Sequence, residues 1–455
     1  MFLGINYNNT KTMHRPFIIP FVFGITVTVL ELLMVLTFPE RPFEMRSTIW
    51  PIFIWILSGL LVSFVKKPLN RLYVYIALAL YFVGNTNTVA SYFFYGLHYY
   101  TDLNQANIIY SSLVFLFIFG LIIGERIIFN GRSTPNTIRP EANDSVFMIG
   151  SVIFPFVWIL DQYHALGYIP IFSGSSIIED MYSVSYGKLY GYGVLLGVPA
   201  LLIWSKLTTK PAFFLKILLV SILLFILFVM LFDGRRIFLL VFIGGLLAFE
   251  MARDAGSFNW KKLIIISFIV LFMYVLILFV RQGGELIDEF TAHDIFSKVG
   301  VEYRDFSYVV THVEPAALSG YDWLLSGVGG FFNQFLLAIV GIDKNALIFS
   351  GSAYQLALSV FNSSFGIRIG LLPELWLDYG LYSYLVVVLI GVFFVFITSL
   401  VLKSRNEVSL IIASMIYGVT ILSFVGQTSA ITGYYSLLLY LWFLWLFLDK
   451  FRYKI

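Results

Sequence analysis

A succession of long apolar runs, almost free of charge, constrains this chain more than any other feature. Each run is close to the roughly 20 residues that a helix needs to cross a hydrocarbon layer. No water is present in such a layer, so backbone N–H and C=O groups must pair within the segment, and each run is predicted to be an α-helix. The runs are continuous rather than alternating, which excludes a lipid-facing β-barrel. They fall at approximately 17–38, 47–65, 72–92, 106–124, 145–160, 186–205, 212–232, 236–252, 263–281, 371–401, 408–425 and 431–449. The predicted fold class is therefore an all-α polytopic membrane protein with about twelve transmembrane helices. The charged fraction of 12% agrees, being about half that of a soluble domain. The first run, Pro16 to Phe38, is too long for a cleaved signal and has no small-residue cleavage site after it, so it is expected to remain as a span.

Lysine and arginine set the orientation. With the N-terminus inside, about two-thirds of the basic residues lie on the cytoplasmic side, and every cytoplasmic loop contributes some. Lys66, Lys67, Arg71, Arg126, Lys206 and Arg253 are among them. The alternation runs unbroken along the chain, so both termini are expected in the cytoplasm. Two outer loops dominate. One covers 161–185 and contains His164, Glu179 and Asp180, which can contact a polar ligand. The other covers 282–370 and divides the chain into a bundle at 1–281, this loop, and a second bundle at 371–455.

The large loop is too rich in aromatic and aliphatic residues to be disordered. From Asp294 to His312 its pattern is helical. Phe306, Val309 and Val310 form part of an apolar side, while Arg304, Tyr308 and His312 recur at i, i+4 and i+8 with Asp305 beside them. Tyr321 to Gly341 is a glycine-punctuated apolar segment, expected to be interfacial or re-entrant.

The outer charges are the candidate site. Arg235 and Arg236 follow Asp233-Gly234 in a tight outer turn, against the positive-inside trend and at a helix start, where the dipole disfavours cations. A bound anion resolves both conflicts, because helix-start amides and two guanidinium groups together can hold a phosphate. Arg368, just before the tenth span, and Arg281, closing the ninth, are also outer arginines, and snorkelling to the interface is the alternative for each. Pro373-Glu374 suits a helix start, and Asp378 lies one turn beyond Glu374 on the same face. Glu31, in the middle of the first span, is costly there and points to a buried partner.

The chain has no cysteine, which excludes disulfides and thiolate chemistry. It has no G-x-x-x-x-G-K-[ST] loop, so a P-loop ATPase is excluded. Histidines are not clustered, and no metal site or cofactor is expected.

Three short stretches carry a family resemblance. Phe232-Asp233-Gly234-Arg235-Arg236-Ile237 is similar to the glycine–arginine turn of Wzy-type O-antigen and oligosaccharide repeat-unit polymerases. Leu372-Pro373-Glu374-Leu375-Trp376-Leu377-Asp378-Tyr379-Gly380 resembles the segment after their large loop, and Arg304-Asp305-Phe306-Ser307 resembles an arginine–aspartate stretch within it. The arginine-x10-glycine spacing often described for that family's loops is not found cleanly here. The resemblance, chiefly one of layout, implies a GT-C-like bundle and an inverting glycosyltransferase without a cofactor. Its donor and acceptor would be glycans on undecaprenyl pyrophosphate, at the outer face of a bacterial cytoplasmic membrane. Arg235, Arg236, Arg281, Arg304 and Arg368 would then bind pyrophosphate. His312, Asp305 or Glu374 would act as general base, and Tyr303, Tyr308, Tyr321, Trp323 and Asp378 would contact sugar. A chain-length regulator is a possible protein partner, and no nucleic acid is expected. Two alternatives stay open: a lipid-linked oligosaccharide flippase or transporter, and an O-antigen ligase.

The orientation has a direct check. Alkaline phosphatase fused after residue 320 is expected to be active, and a fluorescent protein fused at the C-terminus is expected to fold and fluoresce in the cytoplasm. Measuring both reporters in the same cells tests the alternation on both sides.

Overall fold

The computed structural model describes residues 68–95, 103–129, 145–170, 187–208, 211–232, 237–253, 321–332, 334–349, 370–404, 406–426 and 428–452, with shorter stretches inside 25–39, 53–67, 306–310 and 355–356. The described residues are helical, without a strand. In chain order the helices are α1 (Pro68–Tyr95), α2 (Leu103–Ile128), α3 (Ser145–Leu166), α4 (Gly197–Thr208), α5 (Phe213–Met230), α6 (Ile237–Arg253), α7 (Tyr321–Phe331), α8 (Gln334–Ile339), α9 (Lys344–Phe349), α10 (Leu371–Tyr379), α11 (Ser383–Lys403), α12 (Glu407–Leu422) and α13 (Thr428–Arg452). A 3₁₀ segment, Tyr190–Leu196, leads into α4.

Five stretches are long and apolar enough to cross a membrane: Pro68–Ala90, Gln105–Ile128, Tyr190–Thr208, Phe213–Met230 and Leu371–Lys403. Shorter apolar helices include Glu407–Leu422 and Ile431–Phe447. This is the composition of an integral membrane protein. Over their described residues, the predicted spans at 72–92, 106–124, 145–160, 186–205, 212–232, 236–252, 371–401, 408–425 and 431–449 are chiefly helical, and those at 17–38 and 47–65 are described only in part. The predicted span at 263–281 lies outside the described residues, as does Glu31.

Two boundaries differ from the sequence reading. The fifth span runs on to Leu166 and ends at Gly167, whose φ of 77° lets its N–H reach back to the Tyr163 carbonyl at 2.8 Å. His164, expected in a loop, is thus in the last helical turn, and it is exposed. The tenth span is not one helix. Gly380 adopts φ 51°, ψ −125°, a region open almost only to glycine, and a 3₁₀ turn over Gly380–Tyr382 separates α10 from α11. The apolar run is continuous through this break, so hydropathy alone merges the two helices.

The chain forms two compact units built from non-contiguous segments. One contains 1–133, 291–399 and 423–432; the other contains 134–290, 400–422 and 433–455. In the first unit, α2 and α11 approach until their backbones touch: a Cβ on Gly391 would lie 2.7 Å from the Phe117 carbonyl oxygen. Small residues permit this closeness, and dispersion between the helices replaces a hydrophobic force that lipid cannot supply. Beside the contact, Phe424 packs edge-on against Phe117 at 5.6 Å and Phe394 at 5.7 Å, with Tyr73 4.9 Å from Phe394.

The start of α1 is held by a carboxylate. Glu125 accepts the backbone N–H of Lys66 at 2.7 Å and of Lys67 at 2.8 Å, and the Asn70 side-chain amide at 2.8 Å. Pro68 begins the helix proper and has no N–H to satisfy. An anion at this position also favours the helix dipole. Asn70 in turn accepts from the Thr398 hydroxyl at 2.6 Å. Residues 66–70, 125 and 398 therefore meet at one end of the unit.

The second unit shows the same sorting. At one end Lys206 pairs with Glu407 at 3.4 Å, the Ser205 hydroxyl donates to Glu407, Arg253 donates to Thr208, and the Trp204 indole donates to Glu250 at 2.8 Å. Asn406 caps α12, its side chain accepting the Ser409 N–H at 2.7 Å. At the other end the Trp158 indole donates to the Leu189 carbonyl at 2.9 Å, and the same ring meets Phe232 at 5.7 Å and Phe238 at 6.3 Å. Within the unit, α6 and α12 pack so closely that Gly244 faces the backbone of Gly418.

Glu125→Ala removes the acceptor of three donors, of which the Asn70 amide is buried and the Lys66 and Lys67 N–H groups are partly so. It is expected to cost about 3 kcal/mol, read as a lower melting temperature of the purified protein in detergent. Glu125→Gln, which keeps one acceptor oxygen, should lose less.

Candidate functional site

The strongest candidate site that the described residues offer is α10. Every residue from Leu371 to Asp378 is buried, although the helix carries Glu374 and Asp378, only 2% and 3% exposed. The two carboxylates are four residues apart and so share one helix face. Buried carboxylates are costly, and within an apolar bundle they mark function by default.

The sequence fixes this helix at both ends. At its start, Gly370 has φ 77°, and a Cβ there would run into the Phe424 carbonyl. The Leu371 N–H donates to the Ser423 carbonyl at 2.9 Å, and the Glu374 N–H to the Gly370 carbonyl at 3.0 Å. Pro373 sits in the first turn, where its missing N–H is no loss. At the other end, Gly380 donates its N–H to the Trp376 carbonyl and turns the chain into α11. The acidic face is thus set in one rotational position by glycine geometry and by a tether to residue 423.

Helices α2 and α7 pack against α10. Trp376 lies 5.9 Å from the Tyr384 ring, and Tyr384 shares a hydrogen bond with Ser112 on α2. The same half of α2 carries a polar and aromatic cluster. The Tyr81 hydroxyl donates to Asn107 at 3.0 Å, Tyr81 stacks on Tyr110 at 5.3 Å, and Tyr110 lies 5.9 Å from Phe306. Asn85, Asn87 and Thr88 on α1, Ser111 on α2 and Ser307 are also buried. Reading the sequence for charge alone passed over these residues. The signal was present as Asn85-Thr86-Asn87-Thr88, four polar residues in succession inside an apolar span.

Among the expected site residues, the structure places Glu374 and Asp378 on α10 and Tyr321 and Trp323 in the first turn of α7, and it packs those two helices together. Phe306 and Val309 are buried, as expected of the apolar side of their segment. Arg235, Arg236, Arg281, Tyr303, Arg304, Asp305, Tyr308, His312 and Arg368 lie outside the described residues, as do Glu179 and Asp180. Among the described residues, no group of three or more His, Cys, Asp or Glu side chains is arranged to hold a metal ion.

No family model, no curated protein and no solved structure matches this chain. The site must therefore be read from its own chemistry.

Gly370→Ala meets both a left-handed backbone and the Phe424 carbonyl. It is expected to destabilise by about 2 kcal/mol or more, measured as thermal unfolding of the purified protein. Gly150→Ala provides the comparison, because a Cβ there meets nothing within 4 Å, and within a helix it should hold or raise the transition rather than lower it.

Proposed function

We propose that this protein is a membrane-embedded glycosyltransferase that polymerises undecaprenyl-pyrophosphate-linked oligosaccharide repeat units into O-antigen, capsule or exopolysaccharide. The observation that carries the reading is the buried acidic helix α10, which follows the large loop and holds Glu374 and Asp378 in a fixed orientation. A transferase using a lipid-pyrophosphate donor needs few protein groups: cations to stabilise the leaving pyrophosphate, and a carboxylate or imidazole to take the acceptor hydroxyl proton.

In this reading about twelve spans form a GT-C-like bundle in the bacterial inner membrane, with both termini cytoplasmic. Arg235, Arg236, Arg281, Arg304 and Arg368 bind pyrophosphate, and Arg235 and Arg236 supply paired guanidinium groups at a helix start. Glu374, Asp305 or His312 serves as the base. Asp378 holds sugar hydroxyls, and Tyr303, Tyr308, Tyr321 and Trp323 supply ring faces. Inversion follows from a single attack on the anomeric carbon with pyrophosphate leaving from the opposite side. A chain-length regulator would bind as a partner, and no cofactor takes part.

A second reading, transport of a lipid-linked oligosaccharide, draws on a different observation. Buried Asn85, Asn87, Thr88 and Asn107 give the apolar helices α1 and α2 a polar interior, and polar side chains inside spans mark substrate paths as well as reaction sites. A ligase would share the polymerase chemistry and differ only in its acceptor.

The test is surface glycan length, by gel, in a deletion strain complemented with wild type, Arg235→Ala/Arg236→Ala or Glu374→Gln at matched membrane levels. Wild type should restore a ladder. Each variant should collapse it to core plus one repeat, with the base substitution lowering polymerisation by about 100-fold or more. Loss of even the single repeat in the deletion strain would place the missing step at export or ligation and overturn polymerisation.

A further inference from the structure

We infer that the apolar hairpin tip Phe332–Ile342 inserts into the interfacial layer of a lipid bilayer. The inference does not depend on the catalytic reading. Three short helices form this part of the first unit, α9 packing against both α7 and α8. At the turn, Ile339 and Val340 are each 67% exposed, with Leu336, Ile342 and Phe332 also open. From Leu324 to Ile342 the chain has no charged residue, and Asp343 and Lys344 follow immediately.

Two observations favour lipid over water. A cluster of large exposed apolar side chains is unfavourable in water. In addition, the N–H groups of the turn find acceptors within it, which lowers the cost of placing it in an apolar medium. Val340 and Ile342 donate to the Leu337 carbonyl at 3.2 and 3.0 Å, Gly341 to Ala338 at 3.0 Å, and Phe332 to Val328 at 3.1 Å. Gly341 makes the reversal with φ 72°. The Lys344 ammonium donates to the Phe332 carbonyl at 3.1 Å, and partial burial pushes its pKa below the ordinary lysine value.

Continuity favours lipid over a protein partner. Helix α7 packs on α10, which opens the long apolar stretch Leu371–Lys403. After α10 that stretch exposes Leu381, Tyr382, Leu385 and Leu389, the strip that a spanning helix presents to acyl chains. Only α10 and α7 lie between this strip and the hairpin in the packing order. A polarity pattern of apolar tip and adjoining charges is that of interfacial segments, which bury their apolar face roughly 5–10 Å below the headgroups.

The absence of native cysteine makes the test simple. Full-length Val340→Cys and Ile339→Cys would be spin-labelled in phosphatidylcholine/phosphatidylglycerol liposomes, with Leu389→Cys as the spanning reference and Lys188→Cys, on an exposed residue, as the aqueous reference. Collision with oxygen and with a water-soluble nickel chelate would be read for each. The expected result is that both tip labels follow Leu389→Cys, with oxygen collision at least about twofold above nickel collision and quenching by brominated acyl chains. Nickel access like that of Lys188→Cys would overturn the proposal in favour of an aqueous loop. Exclusion of both reagents would overturn it in favour of a protein partner or a second copy.

Discussion

A peptide group without a partner is far more costly in an apolar medium than in water, and the organisation of this chain follows from that asymmetry. It makes the apolar runs helical and forces each interruption to find its own acceptors. Where α1 begins, two N–H groups are satisfied by the Glu125 carboxylate, and proline removes a third. Where α12 ends and α10 begins, the two irregular stretches satisfy each other, Leu371 donating to Ser423. Where α5 ends, Leu231 and Phe232 turn back onto the carbonyls of Phe228 and Val229.

Polar side chains follow the same logic at two levels. Those near helix ends serve as clamps: Glu125 with Asn70, Glu407 with Ser205 and Lys206, Glu250 with Trp204. The Lys206–Glu407 pair is partly exposed and adds little stability; its value lies in fixing which ends meet. The second level is interior. Glu374 and Asp378 on α10, Asn85 and Asn87 on α1 and Asn107 on α2 are buried within the first unit. A polymerase and a transporter both need such groups, and both readings therefore begin from this region.

The helical architecture was legible because an apolar run and the layer it crosses share one length scale. Sidedness is read from basic-residue bias alone; the hydrogen bonds joining residues 66–70, 125 and 398 show only that these positions meet at one end of their unit. The break at Gly380 was not legible, since leucine, tryptophan and tyrosine continue across it and only the backbone angle shows the turn. At the site, Glu374 and Asp378 stood out as charges, and their burial is seen only in the packed helix. The asparagine-rich stretch at 85–88 escaped notice because the site was sought among charged residues, and a neutral amide carries no charge although burying it unsatisfied is costly. The arginines stood out for their charge and outer position, with Arg235, Arg236 and Arg368 also at or just before a helix start.

The turn at 380–382 also bears on membrane thickness. Helix α11 has 21 residues and at 1.5 Å per residue spans about 31 Å, the depth of an ordinary hydrocarbon core. The nine residues of α10 are therefore surplus to crossing. The direction of α11 is set by its close contact with α2, and that of α10 by the joint at Gly380 and the tether at residue 423. The setting of the acidic face is therefore a local matter of the Gly380 joint and the residue 423 tether, separate from the length that crosses the layer.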